Sequence, residues 1–217
     1  MTHDAWRTAI KDILKNGETY TDTDNRRCIE QRNQSITIDE DTAIDKPYQA
    51  MQNHDNWIYP TKQQLINVII NADDLAGLHY TYGSRLLNFN NAINQLNDYV
   101  IPLLQDKPST RRAIAQLYDP QQDSKQRRTS TPGIIYLDFL IRNNNLHCTA
   151  CLRSNDVFYG YPANIIQINH IHQWVADQVD ADQATITTIS NSAHIFHDAL
   201  PDINDVLNLA DHTEPHL

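Results

Sequence analysis

The stretch Ile134-Ile135-Tyr136-Leu137-Asp138-Phe139-Leu140-Ile141, then Asn143-Asn144-Asn145, then Leu146-His147-Cys148-Thr149-Ala150-Cys151-Leu152-Arg153, decides the fold. Residues 134–141 are dominated by branched and aromatic side chains and predict a strand. The three asparagines predict a turn, because Asn tolerates left-handed backbone angles. Residues 146–153 then return as the partner strand of a hairpin. Working outward, residues 113–117 predict another strand, and residues 184–189, alternating with Thr, predict one more. Pro162 opens a helix that carries Ile165, Ile168, Ile171, His172 and Val175. Nearer the N-terminus, Trp6, Ile10, Ile13 and Leu14 form a helical stripe over 4–15 that stops at Asn16-Gly17. Thr61 with Gln64, after Pro60, is a capping-box pattern heading a helix with Leu65, Val68 and Ile69. A further helix is predicted over about 90–104, with Pro102 kinking or ending it early. Residues 18–35 are polar and read as a loop before a short strand, Ile36-Thr37-Ile38. Residues 39–58 read as acidic and irregular, and residues 203–217 as a thin acidic tail that frays. Mixed helices and a largely antiparallel sheet give the α+β class.

Composition narrows the function. The chain has 217 residues, which suits one domain spanning 1–217. Seventeen basic against 27 acidic residues leave a formal net charge of −10, a surface that repels nucleic acid and anionic membranes. The sequence has no apolar run of about 18 residues, so no transmembrane helix is expected. The N-terminus lacks the basic-then-apolar pattern of a signal peptide. Three cysteines, an odd number, argue against a disulfide framework and fit a reducing cytoplasm. With only five glycines and neither GxGxxG nor GxxxxGK[ST], Rossmann and P-loop readings are excluded.

The chemistry-bearing residues crowd between 111 and 196. Arg111-Arg112 offers two planar guanidinium forks that match phosphate oxygens, against the blander reading of a solvated pair. Arg153-Ser154 would bind an anion, with Asp156 two residues on. Asn164, early in the helix after Gly160-Tyr161-Pro162, has both a donor and an acceptor for a planar amide edge. In Ser190-Asn191-Ser192-Ala193-His194-Ile195-Phe196, which follows a strand, His194 could bond a sugar hydroxyl. Cys148-x-x-Cys151 is no metal pair, because residues three apart on a strand face opposite ways. Cys151 shares a face with Arg153 at about 6–7 Å, and is either a relocated nucleophile or a small buried filler. His170 and His172 do not face each other on a helix, and His194-x-x-His197 lacks further metal ligands.

The order Arg-Arg, then RSxDxxxxxPxN, then SxSAHIF resembles thymidylate synthase and the related pyrimidine-nucleotide hydroxymethylases. Tyr80-Thr81-Tyr82-Gly83-Ser84-Arg85-Leu86 and Glu30-Gln31-Arg32-Asn33 resemble segments of the shorter, archaeal-like branch. The likeness spans roughly residues 5–200. It implies a twisted sheet packed against helices, an obligate homodimer with sheets back to back, and binding of a pyrimidine nucleoside monophosphate with methylene-tetrahydrofolate. It implies that Arg153 and Ser154 hold the phosphate together with Arg111 and Arg112 of the other subunit. By the same resemblance Asn164 reads the base, His194 reaches the sugar, and Asp156 and Tyr82 belong to the site. The family's chemistry begins when a Cys thiolate adds to C6 of the base. Here Gly133 stands at that position and carries no nucleophile. Phe196 replaces the usual Tyr and loses a hydroxyl. Arg26 or Arg27 could serve as the early-loop phosphate ligand, and the early active-site Glu is not recognisable between 50 and 78. Two functions follow: a C5 one-carbon transferase that works without the usual Cys, or a catalytically silent nucleotide binder.

Overall fold

The computed structural model describes residues 5–39, 44–70, 80–125 and 131–207. Its centre is a seven-stranded sheet in the order β1-β2-β7-β5-β4-β3, with β6 beside β7. The strands are β1 (Glu18–Thr21), β2 (Arg27–Asp39), β3 (Ala113–Gln116), β4 (Ile134–Arg142), β5 (Asn145–Leu152), β6 (Asn155–Asp156) and β7 (Asp182–Phe196). β7 runs parallel to β5 and β6, and every other pairing is antiparallel. This is the expected mixed α+β architecture. Three long-range helical elements matter for the site: α1 (Ala5–Asn16), α4 (Tyr82–Leu87) and α7 (Gly160–Val179). The shorter helices are α2 (Lys46–Met51), α3 (Lys62–Ile70), α5 (Ile101–Asp106), α6 (Pro120–Asp123) and α8 (Leu200–Leu207).

The hairpin of β4 and β5 forms as expected. Asn143 and Asn144 both take left-handed angles, φ 52° and 64°, and Arg142 pairs with Asn145 across the turn. Two adjacent left-handed residues give a turn whose twist matches the flanking strands. The capping box also forms: Thr61 N donates to Gln64 Oε1 at 3.0 Å, and Gln64 N to Thr61 Oγ1 at 3.4 Å. α1 buries Trp6, Ala9, Ile10 and Ile13. It ends at Gly17, where an added Cβ would lie 2.5 Å from the Ile13 carbonyl oxygen and 2.8 Å from Ile29 Cγ2. Only glycine fits that crossing of helix end and strand.

Several expectations are corrected. Residues 18–35 are not a loop but β1 and most of β2, so the short strand at 36–38 is the end of a 13-residue strand. β1 is an edge strand exposed at all four positions, so it carries no hydrophobic alternation. Asp22 closes its turn, with Oδ1 accepting from the Asp24 and Arg26 amides. Residues 46–51, read as irregular, form α2. The predicted 90–104 helix starts late, because Asn90 and Asn91 take φ 53° and 55°. It then runs as a π turn, Leu96–Val100, into α5. Pro102 lacks an N–H and would clash with a carbonyl four residues back, and the widened turn absorbs it. β7 extends to Phe196, so the segment 190–196 lies inside the strand rather than after it. Residues 200–207 form α8, with Ile203 and Leu207 buried, instead of a frayed tail. The remainder of that tail, 208–217, lies outside the described residues.

One irregularity positions the site. At Asn33 the backbone turns left-handed, φ 57°. Beyond it Ile36 and Ile38 face the core, while before it Ile29 does. The partner strand switches parity as well, from Ile186 and Thr188 to Ala193 and Ile195. Glu30, Ser192 and His194 therefore share the face opposite Ile29 and Ala193. Ser192 Oγ hydrogen-bonds Glu30 Oε1, and Glu30 pairs in register with His194.

Candidate functional site

Most of the expected site residues gather where β4 begins, β5 and β7 end, and α4 and α7 start. Gly133 immediately precedes β4, and its carbonyl oxygen accepts from Arg153 N at 2.9 Å. The Arg153 guanidinium folds back on the same turn. Its Nε donates to the Pro132 carbonyl at 3.0 Å and its Nη2 to the Thr131 carbonyl at 2.9 Å. A Cβ built on Gly133 would stand 3.4 Å from Tyr82 Oη and 3.6 Å from the Ser154 carbonyl oxygen. Tyr82 Oη in turn donates to Asn164 Oδ1 at 3.3 Å. Gly133, Tyr82, Arg153, Ser154 and Asn164 thus meet at one point.

α4 is held there from behind. Its N-cap is a second capping box, in which Thr81 and Ser84 bond each other's backbone amides. Three residues along the helix, the buried Arg85 bonds Asp123 Oδ1 at 2.9 Å and lies 3.6 Å from Asp119 Oδ2. Burial pushes the Tyr82 hydroxyl pKa up, with the neighbouring Tyr80 adding to it, so the phenol stays protonated at neutral pH.

A second group gathers around Asp156 and is joined to the first through Tyr59, which acts on the Tyr82 hydroxyl and is itself acted on by Asp156. Asp156 Oδ1 accepts from the Phe158 and Tyr159 amides at 3.1 and 3.0 Å. Burial raises its pKa, against those bonds and the nearby His194. Asp156 pairs in register with His194, whose pKa burial lowers while Asp156 pulls it upward. His194 Nδ1 is buried and has no hydrogen-bond partner among the described residues. Its ring meets Phe196 edge-on at 4.9 Å, and the Arg26 guanidinium lies 3.3 Å from the centre of the Phe196 ring. Arg26 also bonds Asp198 at 3.1 Å. Of the two early-loop arginines, Arg26 is the one that lines the cleft.

That cleft, about 460 Å³, is bounded by Arg26, Asp55, Tyr59, Asp156, Tyr159 and Asp198, among others. Tyr59 and the Tyr159–Asp202 hydrogen bond had no signal in sequence spacing. Asn56 Nδ2 joins them, donating to Asp202 Oδ2 at 2.6 Å, and so ties α8 to the cleft rim. Burial and then Asp156 push the Tyr59 hydroxyl up to about 12. Asp55 lines this cleft, and residues 71–79, within the span where no early active-site Glu was recognisable, lie outside the described residues.

Two expected groups stand apart. Cys151 lies on the opposite face of β5 from the buried Cys148, paired in register with Tyr136. The strand parity that separated the two cysteines therefore holds. Arg111 and Arg112 are exposed at the start of β3, where Ala113 pairs with Phe139. That is six residues along β4 from Gly133, or about 20 Å. Tyr99 Oη pins this corner by donating to the Arg112 carbonyl at 2.7 Å.

Residues 49–217 match the sequence pattern of the family described as thymidylate synthase. The chain is 35% identical over 196 residues to a protein of Methanosarcina barkeri, covering 90% of this chain and 87% of that one. It is 34% identical over 196 residues to one of Methanococcoides burtonii, with the same coverage. It is 28% identical over 204 residues to one of Methanocaldococcus jannaschii, covering 89% and 87%. Each of the three carries the name "putative thymidylate synthase". The matched span and the identity to these relatives show that this chain belongs to the thymidylate synthase family.

Proposed function

We propose that the chain binds a pyrimidine nucleoside monophosphate in this cleft and transfers a one-carbon unit to C5 of the base without a protein thiolate. The observation that carries the reading is the meeting of Gly133, Tyr82, Asn164 and Arg153 at one point. Asn164 presents an amide to the base edge, with Tyr82 fixing its orientation. Arg153, Ser154 and Arg26 receive the phosphate, and His194, in register with Asp156, is assigned to a sugar hydroxyl by the family resemblance. The apolar faces of Ile58, 82% exposed, and Tyr59 fit a flat heteroaromatic ring, and the Asp156 carboxylate fits its N–H donors. A reduced pterin such as methylene-tetrahydrofolate has that chemistry and supplies the one-carbon unit when bound.

A homodimer belongs to the same reading. The sheet face carrying Thr37, Thr187, Thr149, Cys151 and Tyr136 is left exposed or half-exposed. Arg111 and Arg112 are too far along the sheet to reach their own chain's Gly133, which supports their service in a partner's site. Nucleic acid is disfavoured as a partner by the net charge of −10. No helix among the described residues is long and apolar enough to cross a membrane, and three free cysteines suit a reducing cytoplasm.

One experiment tests the reading: thermal unfolding with nucleoside monophosphates, with and without methylene-tetrahydrofolate, followed by mass analysis of the nucleotide. A bound ligand at 100 times its Kd adds about 2.7 kcal/mol. Stabilisation with a one-carbon mass gain on the nucleotide is the expected result. Stabilisation without a mass change favours the second reading, a silent binder, which Gly133 itself recommends. No stabilisation by any pyrimidine monophosphate overturns both.

A further inference from the structure

The glycine at 133 is not demanded by its surroundings. Its φ lies outside the left-handed region, and an added Cβ would touch only Tyr82 Oη and the Ser154 carbonyl oxygen, at ordinary contact distances of 3.4 and 3.6 Å. Gly17 is the contrast, with backbone atoms closing in at 2.5 Å. Packing imposes glycine at 17, whereas at 133 glycine leaves a hollow. Tyr82 has not moved in to fill it. Its hydroxyl is committed to Asn164, and its helix is anchored by Arg85.

The walls of this hollow are polar. The Ser154 carbonyl is an acceptor, the Tyr82 hydroxyl both donates and accepts, and the Arg153 guanidinium lies on the same turn. Such walls suit a substituent of one or two heavy atoms that carries an N–H. The missing thiol has a chemical counterpart too. A thiolate on C6 of a pyrimidine makes C5 electron-rich, and so does an amino group already bonded to C6, because its lone pair conjugates through the C5=C6 bond.

We propose that the hollow at Gly133 is a subsite for a heteroatom that the ligand itself carries, so that the chain selects a pyrimidine nucleoside monophosphate bearing an amino group at C6. The C6 amino group donates to the Ser154 carbonyl and lies against Tyr82 Oη, in the space a side chain at 133 would fill. The inference rests on the reading above, with the C6 edge of the base set at Gly133, where the family resemblance puts the nucleophile.

Calorimetric titration of the full chain decides it. The probes are uridine 5′-monophosphate, 6-methyluridine 5′-monophosphate and 6-aminouridine 5′-monophosphate, each in ribo and 2′-deoxy form. The 6-amino nucleotide is expected to bind at least fivefold more tightly than the unsubstituted one, with the 6-methyl nucleotide showing no such gain. Gly133→Ala and the bulkier Gly133→Ser should each bring that preference ratio down to about one or below. The ratio is read within each variant, so an overall loss of affinity does not mimic the result. The proposal is overturned if the unsubstituted nucleotide binds best, if the methyl group does as well as the amino group, or if the preference survives both substitutions. If none of the three nucleotides binds, the pyrimidine-monophosphate reading itself fails.

Discussion

Tyr82 and Asn164, 82 residues apart and near the starts of two different helices, share a hydrogen bond of 3.3 Å beside Gly133. Tyr82→Phe removes the donor and leaves the Asn164 carbonyl oxygen without its partner. A neutral hydrogen bond contributes about 0.5–1.5 kcal/mol, so monophosphate affinity should fall roughly 2- to 12-fold while the fold persists. Calorimetric titration of the variant checks this, and undiminished affinity would remove Tyr82 from the site.

Gly17 and Gly133 should respond in opposite ways to the same methyl group. Gly17→Ala forces a Cβ into the Ile13 carbonyl and should cost about 1–3 kcal/mol or more. Gly133→Ala meets only ordinary contacts and should leave the urea midpoint almost unmoved. Equal destabilisation of the two variants would contradict the open hollow at 133.

Arg85 is a buried charge with two buried carboxylate neighbours. Arg85→Met removes the cation beside the buried Asp119 and Asp123, and breaking a buried pair in this way costs about 3–5 kcal/mol. At about 2–4 °C per kcal/mol for a chain of this size, scanning calorimetry should record a melting point lower by roughly 6–20 °C.

The two halves of the proposed composite site can be separated. Arg112→Ala subunits and Arg153→Ala subunits should each bind monophosphate poorly. After the two are mixed and allowed to exchange, one site in each mixed dimer keeps every arginine. Binding should reappear in the mixture, and its failure to do so would argue that the exposed Arg111-Arg112 corner serves no partner's cleft.

Acid should loosen the fold through His172. Its Nε2 lies 2.8 Å from the Leu146 carbonyl oxygen, and burial lowers its pKa below the usual 6.5, partly opposed by that bond. The unfolded chain then binds more protons than the folded one as pH drops below about 6.5, so stability is present above that pH and is lost on acidification. The slope approaches about 1.4 kcal/mol per pH unit for one such group. Urea unfolding at pH 7.5 and 5.5 should show the loss, and His172→Gln should flatten it.

The features visible in the sequence are those written in local patterns. The asparagines at 143 and 144 announced the hairpin, and Thr61 with Gln64 announced α3. β1 stayed hidden because an edge strand exposed on both faces needs no alternation, and β2 because Asn33 switches its inward parity midway. The site divides in the same way. Arg153, Asn164 and His194 entered the candidate site by their order along the chain. Tyr59, Tyr159 and Asp202 were not, because their meeting depends on α8 folding back over a loop more than a hundred residues earlier. The choice between Arg26 and Arg27 rested on the Asp22 turn, which sends Arg26 over Phe196.

The central place of β7 sets an order of events during synthesis. Cys28 waits for Phe196 and Asp39 for Thr185, so β2 emerges early with nothing to pair with along its inner edge. Until the ribosome has released residues 182–196, that edge and the facing edge of β5 remain open to other strands. Pairings this distant in sequence slow folding and lengthen the interval of exposure to aggregation. A premature stop before residue 182 would therefore yield two unsatisfied half-sheets rather than a smaller version of the protein. The cleft, whose His194 arrives on the same strand, forms only as the sheet closes.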